Sequence, residues 1–296
     1  MQTTPDCLPC FLKQASHTAG LCKVTATVHD AIMAQTEEFL QSIDFTLSPP
    51  ENAVRLYGLI AEVTGIPDPF ATLKKESNQF AARLKPVIGR RIKEAGNRFL
   101  AALSFAIAGN IIDYGSLHQF DMEKTIETAL RQDLAINDYA ALRTDLHQAS
   151  MVLYLGDNSG ELVFDGLVIE MMKKNVIYAV KEKAIINDAL LDDARECGLD
   201  TICRVVTNGT GCPGTPLADC SKDFLQLFYD ADLIISKGQG NFETLSEVKA
   251  PIYFLLTAKC PVVAGHIQLL TGGLSGWREK LPFPVLLRSP NFTKRR

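Results

Sequence analysis

Met151-Val-Leu-Tyr-Leu155 is followed at once by Gly156-Asp-Asn-Ser-Gly-Glu161, where the apolar run stops at acids, an amide and a hydroxyl between two glycines. The run is typical of a strand buried on both faces of a parallel sheet. Burying a carboxylate without a partner is strongly unfavourable, so we expect the polar segment to face a cleft. Asp157 and Asn158 carry the oxygen ligands that Mg²⁺ and Mn²⁺ prefer. The stretch predicts a metal site at a strand end, although an Asp-Asn pair alone would also fit a simple turn.

Short apolar runs recur through the second half of the chain, and segments compatible with helix separate most of them. This alternation predicts an α/β fold, a three-layer α/β/α doubly wound domain around a mainly parallel sheet. The strands are expected at Met151–Leu155, Val176–Val180, Ile202–Val206, Leu233–Ile235 and Ile252–Leu256, and the helices at Leu162–Lys174, Asp188–Cys197 and Ser221–Tyr229.

The first half of the chain has a helical period, with Leu56, Ile60 and Val63 on one face. Breakers interrupt it at residues 65–69 and 109–115. No strand is expected before residue 150. We therefore predict a helical region over residues 1–148 that caps the cleft of a catalytic α/β/α domain over residues 149–296.

The composition and charge of the chain argue against several classes of protein. The 296 residues are 47% hydrophobic with a formal net charge of −4, which argues against nucleic acid or an anionic membrane as the partner. The longest apolar segment, Phe99–Ala108, is about half of what a bilayer requires. Asp6 and Lys13 interrupt the first stretch, so no signal peptide is predicted, and the eight cysteines are expected to be reduced thiols in a cytoplasm.

Polar groups follow every predicted strand, at the edge where an open parallel sheet binds its ligands. Asp188 can join Asp157 and Asn158 as a third oxygen ligand of one divalent metal, although it also fits a helix N-cap. Lys237 and Lys259 supply positive charge, and the glycine-containing loops 208–214 and 238–240 can present backbone N–H groups to an anion. A divalent metal, two lysines and backbone N–H groups together predict a site for phosphoryl transfer.

At these residues the chain resembles the damage-control phosphatases, a family also known as domain of unknown function 89. The motifs span nearly the whole chain in the expected order, and the N-terminal CxxC resembles the mostly prokaryotic subgroup. They are Cys7-Leu-Pro-Cys10, Gly109-Asn-Ile-Ile-Asp113, Gly156–Glu161 with Phe164-Asp165, Ile186-Asn-Asp188, Pro213-Gly-Thr215 and Asp232–Glu243.

The resemblance implies a metal-dependent phosphatase that acts on small phosphorylated metabolites, such as sugar phosphates or phosphopantetheine-like compounds. Asp157, Asn158 and Asp188 would bind Mn²⁺, Co²⁺, Ni²⁺ or Mg²⁺, and Lys237 would meet the phosphate. Taken with the strand ends, it implies substrate contacts by Asn110, Asp113, Thr207, Gly209, Gly214, Thr215, Lys237, Gly238, Gly240 and Asn241.

Three questions stay open at this point. The nucleophile is either Asp157, which would form an aspartyl-phosphate, or a metal-bound water. Cys7 and Cys10 are half of a second metal site, a redox pair or simply buried thiols. The rival functions are a Rossmann-like methyltransferase, which the missing G-x-G-x-x-G spacing disfavours, and a non-catalytic protein that binds metal or metabolite.

Overall fold

The computed structural model describes residues 1–109, 133–273, 276 and 280–294. A 3-10 turn over Pro5–Cys7 leads into a group of three helices, whose shared core includes Phe11, Ile32 and Leu56. Two further helices complete the part of the chain that is described up to residue 109. The five helices are α1 (Leu8–Leu21), α2 (Ala26–Gln41), α3 (Pro49–Thr64), α4 (Ala71–Glu94) and α5 (Arg98–Ala108).

The rest of the described chain alternates strands with helices. The strands are β1 (Ile136–Asn137), β2 (Met151–Leu155), β3 (Asn175–Val180), β4 (Arg204–Thr207), β5 (Leu233–Lys237), β6 (Ile252–Ala258) and β7 (Phe283–Arg288). The helices are α6 (Tyr139–Gln148), α7 (Glu161–Met172), α8 (Leu191–Glu196), α9 (Lys222–Asp230), α10 (Gln239–Leu245) and α11 (Pro261–Thr271).

The strands form one sheet in the order β1-β7-β6-β5-β2-β3-β4. β7 runs antiparallel to β6, and the other neighbours are parallel. The predicted α/β fold with a mainly parallel sheet is confirmed, and each of the five apolar runs contains a strand, although β4 begins two residues after the expected start at Ile202.

Two strands were not predicted from the sequence, and the expectation of no strand before residue 150 is wrong. β1 has two residues, too few to show an alternating pattern, and it pairs with β7. β7 itself contains Pro284, which in a sequence argues against a strand because proline cannot donate to the ladder.

Alternate residues of each strand bury into opposite layers, which is why the runs are apolar throughout. Tyr154 and Tyr178 belong to a core shared with α4, α5 and α7, whereas Leu153 and Ile177 belong to a core shared with α9, α10 and α11. The helices α4 and α5 of the first half thus form part of one outer layer of the sheet. The boundary at residue 148 stays a prediction.

The order of the strands reverses at β2. From β2 the chain proceeds to β3 on one side, while β5 lies on the other side of β2. Ligands of open α/β sheets bind at such a switch point, beyond the carboxyl ends of the strands. Among the described residues, no helix is both long and apolar enough to cross a membrane.

Candidate active site

The loops that follow β2 and β3 pair with each other directly. Asn158 and Asp188 form an antiparallel bridge, the Ser159 N–H donates to the Asn187 carbonyl at 2.8 Å, and the Ala189 N–H donates to the Asp157 carbonyl at 2.9 Å. The three predicted metal ligands are therefore brought together. Asp188 is not a helix N-cap, because α8 begins three residues later and Leu190 is its N-cap.

The first half of the chain holds the β2 loop in place through one buried side chain. Asn78 of α4 accepts the Gly160 N–H at 2.7 Å, and its amide nitrogen donates to Asp193 at 2.8 Å and to Glu196 at 3.1 Å. The Asn78 side chain thus forms hydrogen bonds with both the β2 loop and α8, and it fixes their relative position.

Gly238 allows the carboxylate of Asp157 to lie against the backbone that follows β5. Its φ of +82° and ψ of 163° belong to a region that only glycine occupies readily. A Cβ built there would lie 2.0 Å from the Asp157 Oδ2 atom. Gly238 thus permits the close approach of Asp157, whereas its expected contact with a phosphate stays a prediction, since it is not among the residues that line the cleft.

Asp188 is fully buried, and neither of its carboxylate oxygens has a hydrogen-bond partner among the described residues. The Lys181 Nζ atom lies 3.6 Å from Oδ2. Burial raises the pKa of Asp188 to about 7, against the opposing charge of Lys181. A buried carboxylate whose oxygens accept no hydrogen bond fits a bound cation, which would satisfy both of them.

Burial also raises the pKa of Asp157 well above its usual value, and the negative charges of Glu161 and Asp188 add to this effect. The buried charged side chains around the two paired loops include four carboxylates and two lysines. They are Asp157, Glu161, Asp165 and Asp188 with Lys181 and Lys237. Within this group the carboxylates outnumber the lysines by two, a difference that one divalent cation would neutralise.

The structure places Lys237 differently from the expected phosphate contact. Its Nζ atom lies 2.8 Å from Glu161 Oε2 and 2.9 Å from Asp165 Oδ1, and the residue is 1% exposed. Lys181 is likewise buried, where it donates to the Gly214 carbonyl. Both lysines therefore neutralise carboxylates inside the fold.

The donor set of Asp157, Asn158 and Asp188 fits a hard divalent cation by its chemistry, since it offers two carboxylates and one amide oxygen. No group of three or more His, Cys, Asp or Glu side chains in the described ranges is arranged as a metal centre. The candidate site therefore depends on the amide oxygen of Asn158 as its third ligand.

A cleft of about 1040 Å³ opens beside these residues. It is lined by Asp157, Asn158 and Glu161 on one side and by residues of α1 and α3 on another, among them Phe11 and Tyr57. Its size and mixed lining suit a small polar molecule with an apolar or hydroxylated part.

The predicted substrate residues divide between the cleft and the scaffold behind it. Gly240 lines the cleft, whereas Thr215 donates to Asn241 Oδ1 at 2.7 Å inside the protein. Asn241 in turn donates to the carbonyls of Gly156 and Lys237, so it ties the ends of β2 and β5 together.

The remaining predicted contacts lie elsewhere. Thr207 donates to Glu182, and Gly209, at φ +83°, packs against Ser221; neither is among the cleft-lining residues. Gly214 packs against Thr244 and carries the carbonyl that accepts from Lys181. Asn110 and Asp113 lie outside the described residues.

Cys7 and Cys10 both line the cleft, and all eight cysteines are free thiols. Thr4 Oγ1 lies 3.6 Å from the Cys7 sulfur, and Gln14 donates to the Cys10 sulfur at 3.5 Å. Burial raises the pKa of the Cys10 thiol. A second metal or a redox function for this pair stays a prediction.

Several residues that shape the site were not assigned a role from the sequence. Glu161 and Asp165 are the clearest, because two acids four residues apart in a helix lie on one face, and acids that are buried there require partners. Asn78 carries no such signal, since its partners are distant in the sequence. Lys181 comes directly after β3, and Lys237 is the last residue of β5, so a position at a strand end is the signal that both lysines carry in the sequence.

Comparison with known proteins places the chain in a class that fits this geometry. Residues 3–273 match the family model of the damage-control phosphatase ARMT1-like domain. The chain belongs to this damage-control phosphatase family.

Two archaeal relatives and one solved structure are similar along almost the full chain. A damage-control phosphatase of Pyrococcus horikoshii is 34% identical, with 95% of this chain and 99% of the relative covered. One of Archaeoglobus fulgidus is 30% identical, with 93% and 98% covered. The crystal structure of a duf89 family protein from Pyrococcus horikoshii superimposes with a TM-score of 0.86 at 31% identity, with 98% and 99% covered. The homologues indicate a phosphatase.

Proposed function

We propose that this protein is a metal-dependent phosphomonoester hydrolase that acts on small phosphorylated metabolites. The observation that carries the proposal is the pairing of two strand-end loops, which brings Asp188 beside Asp157 and Asn158, two residues that line one cleft. The fully buried carboxylate of Asp188, whose oxygens accept no hydrogen bond from the described residues, supports a divalent cation at that place. Mn²⁺, Co²⁺, Ni²⁺ and Mg²⁺ are the candidates that the family resemblance suggests.

The residues of the chain would hold and orient the reactants. A divalent cation bound by Asp157, Asn158 and Asp188 would neutralise charge on a phosphoryl oxygen. The buried position of Asp157 against Gly238 leaves its carboxylate little freedom to move. Such preorganisation favours phosphoryl transfer, which depends mainly on positioning and charge neutralisation.

Lys259 is the better candidate for a phosphate contact than Lys237. It follows β6 at the same edge of the sheet, is exposed, and is the only basic side chain among the described residues that line the cleft. Its backbone N–H donates to Gln239 Oε1 at 3.0 Å, which fixes the start of this segment. A lysine acts on phosphate as a point charge, so its side chain can move toward the ligand.

The substrate is a small phosphorylated metabolite, a sugar phosphate or a phosphopantetheine-like compound. The volume of the cleft, about 1040 Å³, accommodates a molecule of this size. Beyond the candidate metal ligands, the acidic side chains of the lining are Asp6, Glu161 and Glu243, and among the described residues Lys259 is its only basic side chain, so the lining is poor in positive charge. This favours a substrate that carries a single phosphate group.

The test is release of inorganic phosphate from p-nitrophenyl phosphate and from a panel of sugar phosphates. The chelated protein should be inactive, and one or more of the four metals should restore turnover. Asp157→Asn should abolish the activity of the metal-loaded protein. Lys259→Ala should raise KM about ten- to a hundred-fold, which corresponds to the loss of a charge-assisted contact. Full activity in the presence of chelator, or metal binding without turnover on any substrate, would refute the proposal.

A further inference from the structure

Asn158 uses both hydrogens of its amide on carboxylates. The Nδ2 atom donates to Asp157 Oδ2 at 3.0 Å and to Glu161 Oε1 at 2.8 Å. Because both partners are acceptors, the amide cannot be turned over without placing its oxygen against them. The Oδ1 atom is therefore the end of the amide that remains for a ligand, and Asn158 lines the cleft.

Glu161 is held in turn by Lys237. Its Oε2 atom accepts from the lysine at 2.8 Å, while Oε1 accepts from Asn158. Glu161 is fully buried, so its negative charge requires a compensating charge close by. Burial lowers the pKa of Lys237, but Asp165 and Glu161 outweigh this effect and raise it, so the lysine is charged.

Asp165 closes the network on the side away from the cleft. Its Oδ1 accepts from Lys237 at 2.9 Å and from the Tyr154 hydroxyl at 2.7 Å, and its Oδ2 accepts from the Tyr178 hydroxyl at 2.7 Å. The two tyrosine rings stack with centroids 5.2 Å apart. The lysine therefore sits between two anchored carboxylates.

We propose that Glu161 and Lys237 are positioning residues, which fix the amide of Asn158 with its oxygen toward the metal. Lys237 acts through Glu161 and does not contact the phosphate. The proposal rests on the proposed function only for the presence of a divalent cation, and its first test is metal binding, which requires no turnover.

Calorimetric titration of the chelated protein with Mn²⁺ gives the direct test. The glutamine of Glu161→Gln has one acceptor oxygen and one donor nitrogen, whereas Asn158 and Lys237 both donate to this side chain. One of these two hydrogen bonds is therefore lost in the variant. Residues behind the ligands of a metal site change its affinity by about 10- to 100-fold when substituted. We expect the Mn²⁺ affinity to fall by this factor in Glu161→Gln and in Lys237→Met. The double variant should bind Mn²⁺ at most about three-fold more weakly than the weaker of the two single variants, because both residues act through Asn158.

A second measurement separates positioning from phosphate contact. The parent and Lys237→Met proteins, both saturated with Mn²⁺, are inhibited with inorganic phosphate during turnover. We expect inhibition constants within about three-fold of each other, with Lys259→Ala as the matched lysine that does weaken inhibition. Circular dichroism and urea unfolding establish that each variant is folded.

Three results would overturn the proposal. They are a Glu161→Gln protein that binds Mn²⁺ as the parent does, a Lys237→Met protein that binds Mn²⁺ normally but escapes phosphate inhibition, and a parent protein that binds no Mn²⁺. If Lys237→Met does not fold, the isosteric Glu161→Gln variant decides alone. If the parent binds Mn²⁺ and shows the expected losses but hydrolyses nothing, the proposed function fails while the positioning role stands.

Discussion

Asp188 shows at the scale of a residue how an unsatisfied group can indicate a ligand. Its carboxylate is buried without a hydrogen-bond partner among the described residues, and burial raises its pKa to about 7. The unfolded value is about 3.9, so the folded metal-free protein holds a proton that the unfolded chain has released. This proton difference makes stability fall as pH rises between those two values.

We therefore predict that the metal-free protein is more stable at pH 5.5 than at pH 8, and that Mn²⁺ stabilises it more at pH 8. The metal binds the ionised carboxylate and so offsets the cost of its burial. Urea unfolding at both pH values, with and without Mn²⁺, measures the effect. Glu243, whose pKa burial also raises to about 7, provides the control. Glu243→Gln should keep the metal-dependent difference, whereas Asp188→Asn should lose it. An equal Mn²⁺ effect at both pH values would contradict the account.

At the scale of an element, the turn between β5 and α10 decides whether the loops can assemble. Replacing Gly238 with alanine would drive a Cβ into the Asp157 carboxylate and would impose a backbone conformation that alanine avoids. We predict that Gly238→Ala abolishes Mn²⁺ binding. Gly65, the left-handed C-cap of α3, is the matched control, because a Cβ there has no neighbour within 4 Å.

Gly65→Ala should cost about 1–2 kcal/mol of stability, as expected for a left-handed residue other than glycine, and should leave metal affinity unchanged. Calorimetry measures the Mn²⁺ affinity of the two variants, and urea unfolding measures their stability. Backbone strain is common to both variants, whereas only Gly238→Ala displaces Asp157, so the comparison separates the two effects. Normal Mn²⁺ binding by Gly238→Ala would show that the close approach has no functional role.

The strands and loops also show how much of the fold and of the candidate site could be predicted from the sequence. Each strand run is a local pattern, and the polar residue that ends it follows directly, so the sheet and the ligands Asp157, Asn158 and Asp188 could be named as candidates. The partners of Lys237 could not, because Glu161 lies 76 positions away in the sequence and the ion pair exists only once α7 packs on β5. A lysine at a strand end resembles a phosphate ligand until its buried partners are known.

At the scale of the whole molecule, the two halves of the chain share one core, and a buried polar side chain of the first half reaches the candidate site. The residues of α4 and α5 belong to the same buried cluster as the strands β2 and β3. Asn78 reaches 82 positions along the chain to hold Gly160 beside the metal ligands. The helical half therefore takes part in building the site as well as in lining the cleft.

We predict that the chain unfolds in a single transition and that Asn78→Ala lowers both stability and metal affinity. The variant leaves the buried Gly160 N–H unsatisfied, which costs about 1–3 kcal/mol. Asn97, the N-cap of α5, is the matched control. Asn97→Ala should cost about 1 kcal/mol without a change in Mn²⁺ affinity. Two separate unfolding transitions, or equal metal affinity in the two variants, would argue against this coupling.

The most direct test of the central claim is the anomalous scattering of a crystal of the protein grown with Mn²⁺. The account predicts a single strong anomalous peak at the ends of β2 and β3, within coordination distance of oxygen atoms of Asp157, Asn158 and Asp188. It also predicts that the Asn158 amide presents Oδ1 to that peak. A peak elsewhere, at Cys7 and Cys10 for example, with none among these three residues, would contradict the assignment of the site.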